Sequence, residues 1–404
     1  MQTKVDINRM VQQTKSYQGF DVIVLNITLF LYPFEFFDAI HHGALGPISP
    51  FRVVILPLCL IYIIKNIGRT THKNNIIDVA AILFFFLSAC LSCFISGSLS
   101  SLFSLVGNAV QLVTAFMLFR RIGLGNRTLF ILTTWTIIQF PALIISIASR
   151  EIGMTFRFHG WFFDPNYLCS FVLGSICASF FVFQDTQKKW LKYYCLSIIT
   201  IGLIMMFLSF SRGGLLALFS VVVIILFCNH KKILLTISIL LVPVISALII
   251  RAQYITWADA ANNMIDAVLY RTITVSQDVG ELTAGRSDFI ETFIKNIDDF
   301  LFVGTDLEHY IESYNQGAFP HNGFLELLIQ GGVLFGGFFV IRLLTSITKE
   351  VLMTSKYKKV PCELIVGLGI LIPLTFLSYT SKIAWLCIGL LFALSQKQIF
   401  RAHL

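Results

Sequence analysis

The feature that most constrains this chain is its series of long, uninterrupted apolar runs. Each run is about 15 to 22 residues long, enough for an α-helix to cross the roughly 30 Å hydrocarbon layer of a bilayer. Hydrophobic residues make up 56% of the 404 residues and charged residues only 13%, about half the usual charged share. The composition therefore excludes an ordinary soluble enzyme and predicts a polytopic membrane protein.

We predict an all-α fold of about twelve transmembrane helices, which form a single integral membrane domain over residues 1–404. The first apolar run has no small-residue cleavage pattern behind it, so we expect an uncleaved anchor. The spans are expected near residues 20–37, 47–64, 76–95, 99–119, 129–147, 167–184, 191–209, 214–228, 233–250, 323–344, 361–378 and 382–395.

Lysines and arginines are concentrated in alternate connections between these spans. Because positively charged loops are retained on the cytoplasmic side, the pattern predicts that both termini are cytoplasmic. Twenty of the thirty basic residues then lie inside. The arginines that remain outside are not explained by membrane insertion, so each one needs a separate explanation.

One outer connection, residues 251–322, is much longer than the others and holds eleven of the twenty-two acidic residues. Loops of this length usually carry function. Within it, residues 257–270 and 287–302 show apolar residues at spacings of three and four, with acidic faces. This pattern predicts short helices that lie at the membrane surface.

Three outer arginines lie in distinctive local sequences: Arg157 in FRFHGWFFDPNY, Arg212 in SFSRGG and Arg286 in AGRSDF. Arg52, near the outer end of the second span, is a weaker fourth candidate. Any one of them could instead snorkel to lipid phosphate or pair with a loop carboxylate. A group of planar guanidinium forks at the outer surface would suit a lipid-linked pyrophosphate.

His321 and Asn322 close the large loop and open the tenth span. At a helix N-terminus the dipole disfavours the imidazolium ion, which favours the neutral imidazole that a general base requires. The alternative is a helix cap beside an interfacial histidine. Glu326, one turn further on, could orient His321 or mark the polar end of the helix. The glycine-rich stretch 331–337 is expected to permit close helix packing.

Four of these motifs occur together and in one order: RFHGWFFDPN, LSFSRGG, AGR and PHNGFLELLIQGG, from about Arg157 to Gly337. In this the chain resembles the O-antigen and capsule repeat-unit polymerases and the related O-antigen ligases. The resemblance implies a helical bundle of the C-type glycosyltransferase kind in the bacterial inner membrane, with its active site at the periplasmic face. It also implies glycan transfer from an undecaprenyl-pyrophosphate carrier to a sugar hydroxyl.

By matching motifs, the resemblance implies that Arg212 and Arg286 bind the pyrophosphate, that Arg157 assists, and that His321 activates the acceptor hydroxyl. Both donor and acceptor would be undecaprenyl-pyrophosphate-linked glycans, and a chain-length regulator and a flippase would be protein partners. No cofactor, metal or nucleic acid is implied, and the spacing of histidine, cysteine and carboxylate residues indicates no metal site. The other residues expected to contact substrate are Arg52, Asn166, Asn322 and Glu326.

A polymerase and a ligase differ only in the acceptor, a lipid-linked repeat unit or a lipid A core. The DPN and HNGFLE sequences favour the polymerase. A secondary transporter is the alternative from a different class, but the chain shows no matching halves and few ionisable residues at mid-membrane depth. A non-catalytic assembly scaffold is a third possibility.

Overall fold

The computed structural model describes eleven stretches of the chain. Their backbone is helical apart from the connections and one isolated antiparallel bridge between Phe37 and Phe162, which confirms the all-α prediction. The described residues are 19–37, 51–66, 76–149, 157–162, 164–209, 211–228, 286–314, 322–357, 361–375, 378–379 and 381–401.

Helices are numbered here in chain order within those stretches. The last turn of α1, Tyr32–Phe36, is a 3-10 helix, and one π-helical turn, Phe51–Ile55, precedes α2. A 3-10 turn, Ile297–Phe300, separates α9 from α10. The helices are α1 (Gly19–Phe36), α2 (Leu56–Asn66), α3 (Ile76–Ile95), α4 (Leu99–Arg121), α5 (Asn126–Ala148), α6 (Pro165–Asp185), α7 (Lys189–Leu208), α8 (Arg212–Cys228), α9 (Arg286–Lys295), α10 (Leu307–Tyr314), α11 (Gly323–Tyr357), α12 (Cys362–Thr375) and α13 (Lys382–Arg401).

Seven of these helices, namely α1, α3 to α7 and α11, are long and apolar enough to cross a membrane. Four shorter apolar helices correspond to α2, α8, α12 and α13. Together they coincide with every predicted span except the one near 233–250, which lies outside the described residues. The total of about twelve spans and the orientation of the termini stay predictions.

Helix α6 is the centre of the bundle, with contacts to α5, α7, α8 and α12. Small residues allow these close approaches, because without large side chains two helix backbones can come near each other. Gly174 lies against Ile370 of α12 and Trp135 of α5, and Ser175 accepts a 2.9 Å hydrogen bond from Thr136. A polar residue pair inside the bundle is therefore satisfied within the protein.

Hydrogen bonds and ion pairs show which helix ends lie together. Arg121, at the end of α4, contacts Asp21 of α1 at 3.5 Å and donates to Asn66 of α2 at 2.5 Å. The backbone nitrogen of Leu124, just before α5, donates to Glu363 of α12 at 3.2 Å. These ends are the ones that the charge pattern assigns to the cytoplasmic side. We call the other end of the bundle, where α6, α8 and α11 begin, the motif end.

The described part of the large loop packs on the first turns of α11. Residues of α9, the 3-10 turn, α10 and α11 form one apolar cluster. The helix predicted over 287–302 ends at Lys295, because the chain bends at Asn296, whose side-chain amide bonds to the carbonyl of Thr292 at 2.8 Å. Helix α10 was not predicted, and the helix predicted over 257–270 lies outside the described residues.

The glycine-rich stretch of α11 does more than the close packing predicted for it. Gly331 does pack closely, against the ring of Phe85. At Gly332, however, the backbone leaves the helical region, with φ 73° and ψ 160°. Only glycine adopts such a conformation without strain. Helix α11 is therefore two helical pieces joined at a break.

Candidate functional site

The first two motifs meet at the motif end of the bundle. The Nε atom of Arg157 donates to the carbonyl of Ser209 at 3.1 Å, and the backbone nitrogen of Phe158 donates to the carbonyl of Leu208, also at 3.1 Å. The loop that carries Arg157 is therefore attached to the turn between α7 and α8. Arg157 itself is half-buried.

A second set of bonds fixes the start of α8. Ser211 donates its hydroxyl to the side-chain oxygen of Asn166 at 2.6 Å and accepts from the backbone nitrogen of Gly214 at 3.0 Å. Ser211 is thus the N-cap of α8, whose first residue is Arg212. The backbone nitrogen of Asn166 is in turn held by Asp164 at 2.6 Å. The backbone position of Arg212 is defined by these contacts, while its side chain lies outside the described residues.

The fourth motif forms the start of α11. The side-chain oxygen of Asn322 accepts from the backbone nitrogens of Phe324 and Leu325 at 3.1 and 3.2 Å, which makes Asn322 an N-cap. Gly323 lies directly against the ring of Tyr379, so that a Cβ atom there would be 2.6 Å from the ring. His321 precedes this cap and lies outside the described residues.

Glu326 points inward, towards the connection between α12 and α13. Its side chain is only 2% exposed, and its Oε2 atom accepts from the hydroxyl of Ser378 at 2.8 Å and from the backbone nitrogen of Tyr379 at 2.7 Å. Its Oε1 atom is buried and has no hydrogen-bond partner among the described residues. Glu326 therefore ties the first turn of α11 to the connection between α12 and α13.

Tyr167 lies near the contacts at the start of α6 and also near Glu326 of α11. It is buried in the first turn of α6 and stacks on Phe36 of α1 with ring centroids 4.4 Å apart. It is also within electrostatic reach of Glu326. The N-terminal helix thus contributes to the wall of the site, although no sequence motif marked it.

The remaining predicted residues are placed less completely. Arg286 is the first residue of α9, and Phe289 and Phe293 of that helix belong to the apolar cluster that includes Leu325 and Ile329 of α11. Arg52 lies in the π-helical turn before α2. For both arginines the side chain lies outside the described residues, so their distance to the other site residues stays a prediction.

The motif end has a consistent electrostatic character. Helices α6, α8 and α11 all begin there, and the N-terminus of a helix carries unpaired N–H groups and a partial positive charge. Such ends attract anions. Among the described residues no group of three or more histidine, cysteine, aspartate or glutamate side chains could hold a metal ion. The helix starts supply a partial positive charge at the motif end, and the side chains of Asp164, Ser211 and Asn322 already bond to some of their N–H groups.

The contributors to this site that were not singled out from the sequence include Tyr167, Ser211, Ser378 and Tyr379. Ser211 precedes an arginine and two glycines, so a helix N-cap at this position was readable in principle. The sequence LSYTSK between two apolar runs is likewise a polar interruption typical of a helix start. What the sequence could not show is that both interruptions face the residues of the other motifs.

The fold is that of a multi-pass helical membrane protein, and the described parts of the sequence motifs lie at one end of its bundle. Residues 196–341 match the O-antigen ligase family model. This match confirms the resemblance to the O-antigen ligase and polymerase superfamily. Proteins of that family are glycosyl-transferring enzymes. No curated protein and no solved structure matches the chain.

The matched region runs from the second turn of α7 into α11. It contains Arg212, Arg286, His321, Asn322 and Glu326. Arg157, Asn166 and Arg52 lie before it, so their assignment to the site depends on the structure and on the motif resemblance alone. For Arg157 and Asn166 the structure supplies direct contacts to the matched region, at Ser209 and Ser211.

Proposed function

We propose that this protein polymerises undecaprenyl-pyrophosphate-linked oligosaccharide repeat units into O-antigen or capsular polysaccharide. Each cycle would transfer the growing glycan from its carrier to a hydroxyl of the next lipid-linked repeat unit. The reaction would take place at the periplasmic face of the bacterial inner membrane. The carrier pyrophosphate would be the leaving group.

The observation that carries this proposal is the joining of motifs at one end of the bundle. Arg157 and Asn166 of the first motif are hydrogen-bonded to the turn that precedes Arg212. The helix that Arg286 opens packs on the helix that follows His321. The first and second motifs are therefore in direct contact, and the helix that begins at the third motif packs against the fourth.

The proposed chemistry requires charge neutralisation more than bond activation. A pyrophosphate departs readily once its developing charge is stabilised by fixed donors in a water-poor cleft. Arg212 and Arg286 would supply planar forks for its oxygens, assisted by Arg157. His321, as a neutral imidazole, would take the proton of the acceptor hydroxyl while that oxygen attacks the anomeric carbon. A single displacement of this kind inverts the anomeric centre.

The second candidate function is glycan transfer to a lipid A core, as an O-antigen ligase. The description of the matched family favours it, whereas the DPN and HNGFLE sequences favour the polymerase. The donor half of the reaction is the same in both cases. The two functions therefore share the arginine site and differ only in what occupies the acceptor side.

Purified protein in lipid vesicles, supplied with a lipid-pyrophosphate-linked repeat unit, tests the proposal. Lengthening of the glycan on the carrier is the expected result. Transfer only after core lipid is added would overturn the polymerase assignment in favour of the ligase. Failure to form either product, from a panel of repeat units that includes the host's own, would reject both.

A further inference from the structure

The segment 301–305, between the 3-10 turn and α10, lies against the break in α11. The backbone nitrogen of Leu334 donates to the carbonyl of Leu301 at 3.0 Å, and that of Thr305 donates to the carbonyl of Ile329 at 2.8 Å. In an unbroken α-helix these two groups of α11 would bond within the helix. The break at Gly332 releases them, and the loop segment takes their place.

Two glycines make this close approach possible. Gly304 lies so near the carbonyls of Ile329 and Gln330 that a Cβ atom would collide with the backbone. At Gly332 a Cβ atom would be 2.6 Å from the carbonyl oxygen of Phe302. The contact is therefore one of backbone against backbone, which is unusual for a segment that the sequence assigns to a polar outer loop.

Neighbouring helices show how deep the segment lies. The carbonyl of Phe302 accepts from the hydroxyl of Ser88 at 3.3 Å, and Ser88 precedes the motif end of α3 by about two turns, roughly 10 Å. Ile329 lies roughly 9 Å from the start of α11 by the same helical rise. Leu334 follows the break at Gly332, beyond which Gly336 lies beside Leu327. One leaflet of the hydrocarbon layer is about 15 Å thick. The segment thus lies at the depth of lipid tails.

The side chains on its outer edge are apolar and exposed. Phe302 is 60% exposed and Leu301 43%, and on α9 the same is true of Ile294 at 59% and Ile290 at 42%. The adjacent side of α9 carries the exposed ion pair between Glu291 and Lys295, with nitrogen and oxygen 2.7 Å apart. Helix α9 and the segment after it therefore share one apolar rim.

We propose that segment 301–305 is a re-entrant wedge whose apolar rim, formed by Ile290, Ile294, Leu301 and Phe302, inserts into the acyl chains of the outer leaflet. Continuity with the lipid-facing surface supports this partner: Leu87 and Leu91 of α3, and Leu334 of α11, are also exposed and apolar. Backbone groups in a lipid environment must be satisfied by the protein. The bonds to Ser88, Ile329 and Leu334 satisfy three of the backbone groups of the segment in this way.

The wedge has a consequence for the site that depends on the proposed function. Because Arg286 is the first residue of α9, a rim anchored in the bilayer sets the height of that residue relative to the membrane surface. A lipid-linked pyrophosphate is held at a fixed height by its own tail. Matching these two heights would bring the arginine and the phosphates together at the membrane surface, without a binding pocket in a separate soluble domain.

Photo-crosslinking of the full-length protein in phosphatidylethanolamine–phosphatidylglycerol vesicles tests the insertion directly. A benzophenone amino acid is placed at Ile294, at Phe302 or, as the matched control on the charged face of the same helix, at Glu291. We expect lipid adducts at 294 and 302 to exceed those at 291 by about tenfold or more, since only the rim would reach the hydrocarbon. Equal adduct yields at the three positions would overturn the wedge.

A second measurement separates the wedge from the proposed reaction. Phe302→Asp is expected to reduce the lipid adduct formed by a benzophenone at 294 by about fivefold or more, because a carboxylate is costly in hydrocarbon, whereas Phe302→Leu leaves it unchanged. An unaltered adduct yield in Phe302→Asp would contradict the proposal. Neither readout requires glycan transfer, so a protein that forms no polymer still tests the wedge.

Discussion

At the scale of single residues, the described polar side chains of the site are occupied in holding backbone. Asn166, Ser211 and Asn322 each bond to a helix start, and Glu326 bonds to the start of the connection before α13. The roles proposed for the arginines and for His321 depend on this framework. Replacing a framework residue should therefore give a different result from replacing a residue that meets substrate.

Replacement of the arginines tests the substrate-binding role. We expect Arg212→Ala and Arg286→Ala to lower glycan transfer by about a hundredfold or more, as loss of a charge-stabilising donor does in other sites. Lysine at either position should restore activity only in part, because it lacks the fork geometry. Arg127→Ala, an exposed arginine at the opposite end of the bundle, is the control and should be fully active. Equal activity of the lysine and arginine proteins would reduce the role to charge attraction.

Two substitutions of Glu326 distinguish a structural role of this residue from a role in the reaction. Glu326→Leu leaves the backbone nitrogen of Tyr379 without this acceptor and should destabilise the protein by about 1 to 3 kcal/mol. Glu326→Gln keeps an acceptor oxygen and should retain both stability and most of the activity. The measurement is the thermal unfolding midpoint in detergent beside the rate of glycan transfer. A glutamine variant that is stable but inactive would show instead that the carboxylate takes part in the reaction.

The same residues show which parts of the site the sequence could predict. The motifs carried Arg157, Asn166, Asn322 and Glu326 into the candidate list, and the structure places all four at one end of the bundle. The sequence did not predict that Glu326 turns inward, since its spacing allowed either an outward or an inward face. Partners such as Ser378 are far away in the sequence, and only packing brings them together.

At the scale of helices, the break in α11 is a local departure from regular helical structure. Segment 301–305 of the large loop bonds to the backbone groups that the break frees. Helical periodicity continues through residues 331–337, so the sequence predicted one uninterrupted span with tight packing. The break depends on a positive φ angle at one glycine and on the loop segment that bonds to the freed groups. Neither feature can be read from the hydropathy of the sequence, because the stretch 331–337 and the loop segment are both largely apolar.

Substitution of Gly332 tests the importance of the break. Gly332→Ala should destabilise the protein by about 1 to 3 kcal/mol, since alanine is strained at this φ angle and would meet the carbonyl of Phe302. Gly337→Ala is the matched control, because a Cβ atom there has no neighbour nearer than 3.8 Å, the side chain of Leu328. Thermal unfolding of both proteins gives the comparison. If the two variants unfold alike, the break is not a required feature.

A partly buried ion pair joins α11 to α3 and gives a second test at this scale. Arg342 of α11 donates to Asp78 of α3 from Nε at 3.1 Å and from Nη2 at 2.5 Å. Asp78→Leu or Arg342→Met alone should cost about 3 to 5 kcal/mol, because each leaves a charge in the bundle, whereas the double variant should recover most of the loss. A double-mutant cycle on unfolding midpoints measures this coupling. Additive losses would mean that the pair contributes nothing beyond its separate side chains.

At the scale of the whole molecule, apolar run length was sufficient to place nearly every described span. The alternation of basic residues also agrees with the contacts between helix ends, since Asp21, Asn66 and Arg121 are found together and the motif residues lie at the other end. The sequence could not predict the neighbours of each helix. Lateral order within a bundle depends on side-chain complementarity, and apolar helices of similar composition are interchangeable by hydropathy.

Labelling with a membrane-impermeant maleimide tests the orientation of the bundle. A cysteine introduced at Ser100 or Glu308 should react in intact cells, while one at Gly125 or Lys188 should react only after the membrane is opened. All four positions are exposed, and the native cysteines whose side chains the structure describes are buried or half-buried. Labelling of both pairs in intact cells, or the reverse order, would refute the assigned orientation.

The hydroxyl of Ser211 performs two structural tasks with a single oxygen. It closes the first turn of α8 and, at the same time, holds that helix to α6 through Asn166. A rotation of α8 large enough to redirect Arg212 would therefore break one of the two bonds, either the cap or the link to Asn166, so intermediate settings of the arginine are disfavoured. Insertions or deletions between Ser209 and Arg212 should accordingly be selected against during divergence, whatever sugars a descendant of this protein comes to join.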